Sequence, residues 1–338
     1  MAGCTLDRDQ AIDAAAEFEG LPEVSLDSLL GPPFEMRPVQ NERTLVSRPT
    51  SLSIATDGSV VLADAGEVNV KLYPQGRPDP VVVGGEGDGP GELRRPLTAA
   101  FTRDSLLVGD TNAEVHVFTR SGEYQRRFVI EGLSNLWDLA ATDDGGILVT
   151  GTATDPNESA VLFEVDPDGR IERHWLEARY TVPRGSPSEA EAWRPFRSFH
   201  VAVDQGFAFV TSTVSDSLWV ADLESGTVAR GRIPAPRYEG DLTVPPASAF
   251  FALTEFAEGL RYTYAPVPLG DIVLIPFVSG AGDDRTVRTV ARLGDGRWVR
   301  VTTDDLILTG AAGPSVVGRR GEADDLVILL YSPRRPDL

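Results

Sequence analysis

The chain is most distinctive for what it lacks. Among 338 residues there is a single cysteine, Cys4, so no intrachain disulfide can form and the fold must stand on packing alone. Lysine occurs once, at Lys71, which leaves arginine to carry the basic charge. Histidine occurs three times, at His116, His174 and His200, too few for a histidine-rich metal or catalytic cluster. No stretch approaches the roughly 18 consecutive apolar residues that mark a membrane-crossing helix. Positive charge is outweighed throughout: the formal net charge is −20 at pH 7. A surface of that sign repels phosphate backbones and anionic headgroups, which argues against nucleic-acid binding and broad electrostatic membrane binding.

What is present is strand. Hydrophobic residues make up 41% of the chain, enough for a sizeable core. They fall in short Val-, Leu-, Phe- and Tyr-rich runs separated by Gly, Pro, Asp and Asn, an all-β pattern. Residues 1–33 stand apart as a polar leader or tether, with a short helical patch at 9–18, a Gly31-Pro32-Pro33 end and no strand signal before Phe34. Residues 34–338 read as one repeat domain.

From Pro49 onward the chain repeats itself. Ser51-Leu52-Ser53-Ile54, the turn Asp57-Gly58, the strand Val60 to Asp64 and the strand Val68 to Tyr73 make the first unit. The second has residues 97–101, Leu106-Leu107-Val108-Gly109-Asp110, Val115-His116-Val117-Phe118 and the turn Ser121-Gly122. Further units are recognisable around Trp137-Asp138-Leu139-Ala140, His200-Val201-Ala202-Val203 and Ile272-Val273-Leu274-Ile275. Repeats of roughly 40–50 residues with about four short strands each indicate a β-propeller. A lone four-stranded blade has two apolar faces and cannot bury both, so blades must stack radially. Residues 304–331 offer only three strands, which would leave an edge exposed. Residues 34–46 carry strand-like content and have no blade of their own. The expected fold is therefore a six-bladed propeller closed by an N-terminal strand, with two long inter-strand insertions.

The run Gly84-Gly85-Glu86-Gly87-Asp88-Gly89-Pro90-Gly91-Glu92-Leu93, with Pro96, Val108-Gly109-Asp110, Thr111-Asn112 and Val115-His116-Val117-Phe118, resembles an NHL-type repeat. Residues 49–73 resemble it less closely and the later units only in outline. The resemblance implies a six-bladed propeller like those of bacterial NHL-like lipoproteins, a fold that hosts both lyases and plain binding modules. Met1-Ala2-Gly3-Cys4 is similar to the end of a bacterial lipobox, in which the cysteine becomes the lipidated first residue. Cys4 is thus the expected lipid-attachment site, and a periplasmic, membrane-anchored location the expected destination.

Chemistry is hard to find. His116 lies in an apolar strand, and His174 and His200 share no position in the repeat. Calcium, which carboxylates alone can hold, is the one cofactor left open, at Asp143-Asp144, Asp166-Pro167-Asp168-Gly169 or Asp283-Asp284. Each pair sits where a hairpin turn calls for Asp and Gly anyway. The Gly84–Gly91 run lacks the Lys-Ser/Thr of a P-loop and reads as a blade connection. There is no Gly-x-Ser-x-Gly elbow. No catalytic, cofactor or metal residue is therefore assigned.

The insertions at 176–199 and 234–264 draw attention instead, because aromatics with arginine are enriched at protein interfaces. The expected partner-binding residues are Arg179, Arg184, Trp193, Arg194, Phe196 and Arg197 in the first, and Phe250, Phe251, Phe256 and Tyr262 in the second. Phe250, Leu253, Phe256 and Leu260 recur at helical spacing, so a short amphipathic helix is expected. The other reading of both insertions is that they fold back over the propeller and bury these rings, and for the helix that is the favoured one. The functional expectation is a non-catalytic extracytoplasmic scaffold that binds another protein, as an accessory subunit of a membrane-embedded complex. The alternative is an NHL-like lyase or hydrolase with a divalent metal in the central channel.

Overall fold

The computed structural model describes residues 17–155, 158–177, 192–193, 196–237, 242–246, 250–280, 285–321 and 325–332. Six sheets are arranged as the blades of a β-propeller. Blade one comprises the strands Pro49–Ile54, Val60–Asp64, Asn69–Tyr73 and Val81–Val83, each antiparallel to the one before. Blades two (98–129), three (133–177) and four (199–232) repeat this four-stranded meander. In blade five the innermost edge is split into Arg261–Thr263 and Val267–Leu269, which both pair with Ile272–Ser279. Thr286–Arg292 and Trp298–Thr302 follow it outward. The second insertion thus ends inside blade five, earlier than the sequence pattern suggested. Blade six has only Ile307–Ala312, Ser315–Arg320 and Val327–Tyr331 from the C-terminal region. Its fourth strand is Phe34–Met36, antiparallel to Val327–Tyr331.

The closure expected from the sequence is therefore present, and the packing shows that it works. Each neighbouring pair of blades shares one apolar core. Between blades six and one, Met36 and Val46 join Leu52, Leu62, Tyr73, Val317 and Ile328. Equivalent cores lie between one and two, two and three, three and four, four and five, and five and six. This is why strands such as Val60–Asp64 are buried at every position: one face packs on the preceding blade and the other on the next. Hairpin chemistry follows the sequence too, with Gly58 at φ 81° in the Asp57-Gly58 turn. The glycine-rich run is a connection, as expected. Leu93 donates to the Gly85 carbonyl and is fully buried between blades one and two.

The leader differs from expectation. Residues 23–25 form a strand parallel to Trp298–Thr302, adding a further strand to the outer edge of blade five. Phe18 and Leu21 are buried between blades four and five, and Leu26 and Leu30 between five and six. Of the polar leader, 18–30 is therefore docked on the propeller. Its strand left no sequence signal because Val24 is the only apolar residue among Glu23, Val24 and Ser25. No described helix is long and apolar enough to cross a membrane.

Candidate functional site

The first strand of every blade faces the propeller axis, and together these strands line a channel of about 850 Å³. The hairpins joining first to second strands, around Asp57, Arg103, Asp143 and Gly313, ring one mouth of it. The walls are held by polar side chains reaching across blade boundaries. Ser53 donates to the Ala99 carbonyl at 2.7 Å, linking blades one and two. Thr98 of blade two donates to Asp138 of blade three at 2.6 Å. Asp138 also accepts from the Val201 N–H of blade four at 3.2 Å and from the Leu139 N–H beside it. Thr211 of blade four donates to the Tyr264 carbonyl of blade five at 2.9 Å.

On this frame sits a row of groups that the sequence scatters. His200 Nδ1 lies 3.5 Å from Asp138 Oδ2. The His200 ring is nearly parallel to that of Tyr264, with 7° between planes and centroids 6.2 Å apart. Asp138, His200 and Tyr264 all line the channel. Nothing local in the sequence marks them as a unit, since they come from three different blades. The one available signal is a polar residue amid apolar neighbours, Asp138 in Trp137-Asp138-Leu139-Ala140 and His200 in Phe199-His200-Val201-Ala202.

The hairpin mouth is charged. Arg120 lies over the Phe101 ring at 4.3 Å and pairs with Asp57 at 2.6 Å, joining the rims of blades one and two. Asp143 and Asp204 also line the channel, and among the described residues neither is in an ion pair with a cation. Burial raises the Asp204 carboxyl above its ordinary range. The Gly270 N–H opposes that shift, and the negative charge of Asp143 adds to it. The geometry offers two uncompensated carboxylates, aromatic surface from Trp137 and Tyr264, and an imidazole held by Asp138. Such a lining suits recognition of a polar or cationic group.

Asp138 already accepts from three donors. Among the described residues, the channel lining holds no set of three metal-ligating side chains within mutual reach. Among the described residues the one such set is Asp110, Glu114 and His116, away from the channel on blade two.

The expected interface residues fare unevenly. Cys4, Arg179, Arg184 and Arg194 lie outside the described residues, as do the side chains of Phe250 and Phe251. The helix expected in the second insertion is present at Phe250–Glu258. Trp193 must be corrected: it is 1% exposed, so its ring is not available to a partner. It packs on Phe196 and Phe256 with centroids 6.2 and 5.5 Å apart, in a cluster with Val214 and Leu260. Phe196, Arg197, Phe256 and Tyr262 are half-buried, and the Tyr262 hydroxyl donates to the Ala257 carbonyl. Arg261, buried, donates to Asp216 and to the Pro236 carbonyl. The two insertions thus pack on each other. Arginine beside aromatics could not tell this cluster from an interface, because both bury rings. The expected calcium turns are ordinary hairpins where described: Asp166 Oδ1 accepts from the Asp168 and Arg170 N–H groups. Asp283 and Asp284 lie outside the described residues.

No protein-family model and no curated protein matches the sequence. Solved structures do resemble the fold. A putative exported protein from Bacteroides fragilis superposes with a TM-score of 0.62 at 10% identity, over 93% of this chain and 99% of that one. A member of the DUF4221 family from Bacteroides vulgatus gives 0.60 at 8% identity, over 90% and 97%. A streptogramin B lyase gives 0.51 at 11% identity, over 89% and 98%. At these identities the likeness is one of fold.

Proposed function

We propose that this chain is an extracytoplasmic binding module whose channel mouth receives a basic segment of a partner protein. The observation that carries the reading is the pair Asp143 and Asp204, two channel-lining carboxylates without a cation among the described residues. A partner's lysine or arginine placed between them would relieve the like-charge cost, while Trp137 and Tyr264 offer ring faces to its stem. The charge of −20 would speed encounter with a basic surface. Extracytoplasmic location is supported by the lipobox-like Met1–Cys4 and by the exported neighbour from Bacteroides fragilis. A membrane-embedded complex as the partner, with Cys4 lipidated, fits the same reading.

Site-specific photo-crosslinking tests it. A crosslinking residue at Ala202, on the channel wall, should capture the partner from native membranes, whereas one at Val228, on the outer rim, should not. Asp143→Asn with Asp204→Asn should abolish the channel crosslink without unfolding the propeller. Crosslinks from Val228 alone, or capture indifferent to the double replacement, would defeat the reading. Anchoring is tested separately: Cys4→Ser should move the protein from the membrane to the soluble fraction.

A further inference from the structure

Blades one and two carry the same buried carboxylate with different companions. Asp64 is the last residue of the second strand of blade one, Asp110 directly follows the second strand of blade two, and each accepts from the two backbone N–H groups that lead into the first strand. These are Ser47 and Arg48 in blade one, and Arg94 and Arg95 in blade two. In blade one the charge is matched by Lys71, whose Nζ is 2.7 Å from Asp64 Oδ2 with neither side chain exposed. Lys71 stands opposite Leu62, two residues before Asp64, and His116 stands opposite Val108, two residues before Asp110. His116 is therefore the counterpart of Lys71. Asn69, next to Asp64 in the ladder, has its counterpart in Glu114, whose carbonyl accepts from Asp110 N–H.

The exchange changes the charge. Asp64, Asn69 and Lys71 sum to neutrality. Asp110 and Glu114 instead bring two carboxylates to the buried imidazole of His116. His116 is 1% exposed, and neither ring nitrogen has a hydrogen-bond partner. Its Nε2 lies 3.9 Å from Asp110 Oδ2 and 3.8 Å from Glu114 Oε2. A buried imidazole with no hydrogen-bond partner, its Nε2 between two carboxylates, is costly as it stands.

We propose that Asp110, Glu114 and His116 bind one first-row divalent transition-metal ion, zinc in particular, which takes in blade two the place of the Lys71 ammonium in blade one. The donor set of one imidazole nitrogen and two carboxylate oxygens matches that class, whereas calcium prefers oxygen alone. Asp110 has room for the ion. Its Oδ1 accepts from Arg95 and Thr111, but Oδ2 accepts only from Arg94 and keeps a lone pair. Ligands at ~2.0–2.2 Å from zinc stand roughly 3.0–3.5 Å apart. The three donor atoms already lie within 4.8 Å of one another, so small side-chain rotations would bring them into coordination range. His116 Nε2 has no hydrogen-bond partner and is free to ligate, and half-buried Glu114 gives the route from solvent. None of the three lines the channel, so this site is separate from the channel mouth.

The test uses the full chain, stripped with a chelator, gel-filtered and titrated with zinc and with calcium. Wild type should retain one equivalent of zinc, in preference to calcium, and melt at a higher temperature with it. Glu114→Gln and His116→Ala should lose both the equivalent and the shift. His116→Lys, which copies blade one, should fold with wild-type circular dichroism and no longer respond to zinc, so the test survives if the alanine variant misfolds. A wild type that retains no zinc, or prefers calcium, overturns the proposal. So does a zinc equivalent unchanged in both Glu114→Gln and His116→Lys, which would place the metal elsewhere.

Discussion

Lys71, the only lysine in the sequence, is bonded at 2.7 Å to Asp64 inside blade one, and both side chains are fully buried. The pair fastens the second and third strands of the blade to the connection at Ser47 and Arg48. Burial works against the Asp64 charge, but the Lys71 ammonium and the backbone donors outweigh it and hold the carboxyl below its ordinary range. Lys71→Met removes the compensating charge and should cost about 3–5 kcal/mol, read by denaturant unfolding. Adding Asp64→Asn should recover part of that loss. Because the folded pKa is lowered, the contribution is present above the ordinary carboxylate value of 3.8 and vanishes as pH falls through the folded value. The wild type should lose stability on acidification across that window, and Asp64→Asn should lose less.

Trp193 should behave as core. Its ring is enclosed by Phe196, Phe256, Val214 and Leu260. Trp193→Ala should cost about 3–5 kcal/mol, with a matching fall in melting temperature. An unchanged melting temperature would mean that the cluster contributes nothing to the folded ring.

Asp204→Asn should stabilise the protein near neutral pH. The folded carboxyl is raised by burial, opposed by the Gly270 N–H, with Asp143 adding to the rise. A raised acid gives its full contribution below the unfolded value and loses it as pH rises through the folded value. Asparagine keeps an acceptor for the Gly270 N–H, whose bond to Asp204 is 3.1 Å long. Its advantage should be visible in melting curves at pH 7 and disappear toward pH 3. A variant less stable than wild type at pH 7 would show that Asp204 has a cationic partner in the free protein.

Ring closure can be tested by deletion. Removing 34–46 takes away the outer strand of blade six together with buried Met36 and Val46. The edge Val327–Tyr331 would then be unpaired, a template for association. Light scattering should show aggregation, or calorimetry a large fall in melting temperature. A monomeric deletion variant with wild-type stability would contradict closure by this strand. Leu30→Asp should also destabilise, because Leu30 is fully buried between blades five and six.

The sequence by itself determined the architecture. Short apolar runs, Asp-Gly turns such as Asp57-Gly58 and the recurrence of Asp64 as Asp110 dictate stacked four-stranded blades, and the three-strand remainder after Asp304 calls for an N-terminal strand to close them. These are local signals, because strand alternation and turn chemistry act over a few residues. Only the tertiary structure decided the rest. Glu23–Ser25 is a strand because the open edge of blade five offers it partners, not because of its own pattern. Asp138, His200 and Tyr264 meet only because the ring brings the first strands of three blades to one axis. Trp193 is core rather than surface because Phe256, from the other insertion, folds over it. Burial and charge compensation belong to neighbours distant in sequence, so a residue type announces its capacity for chemistry and the fold chooses the use.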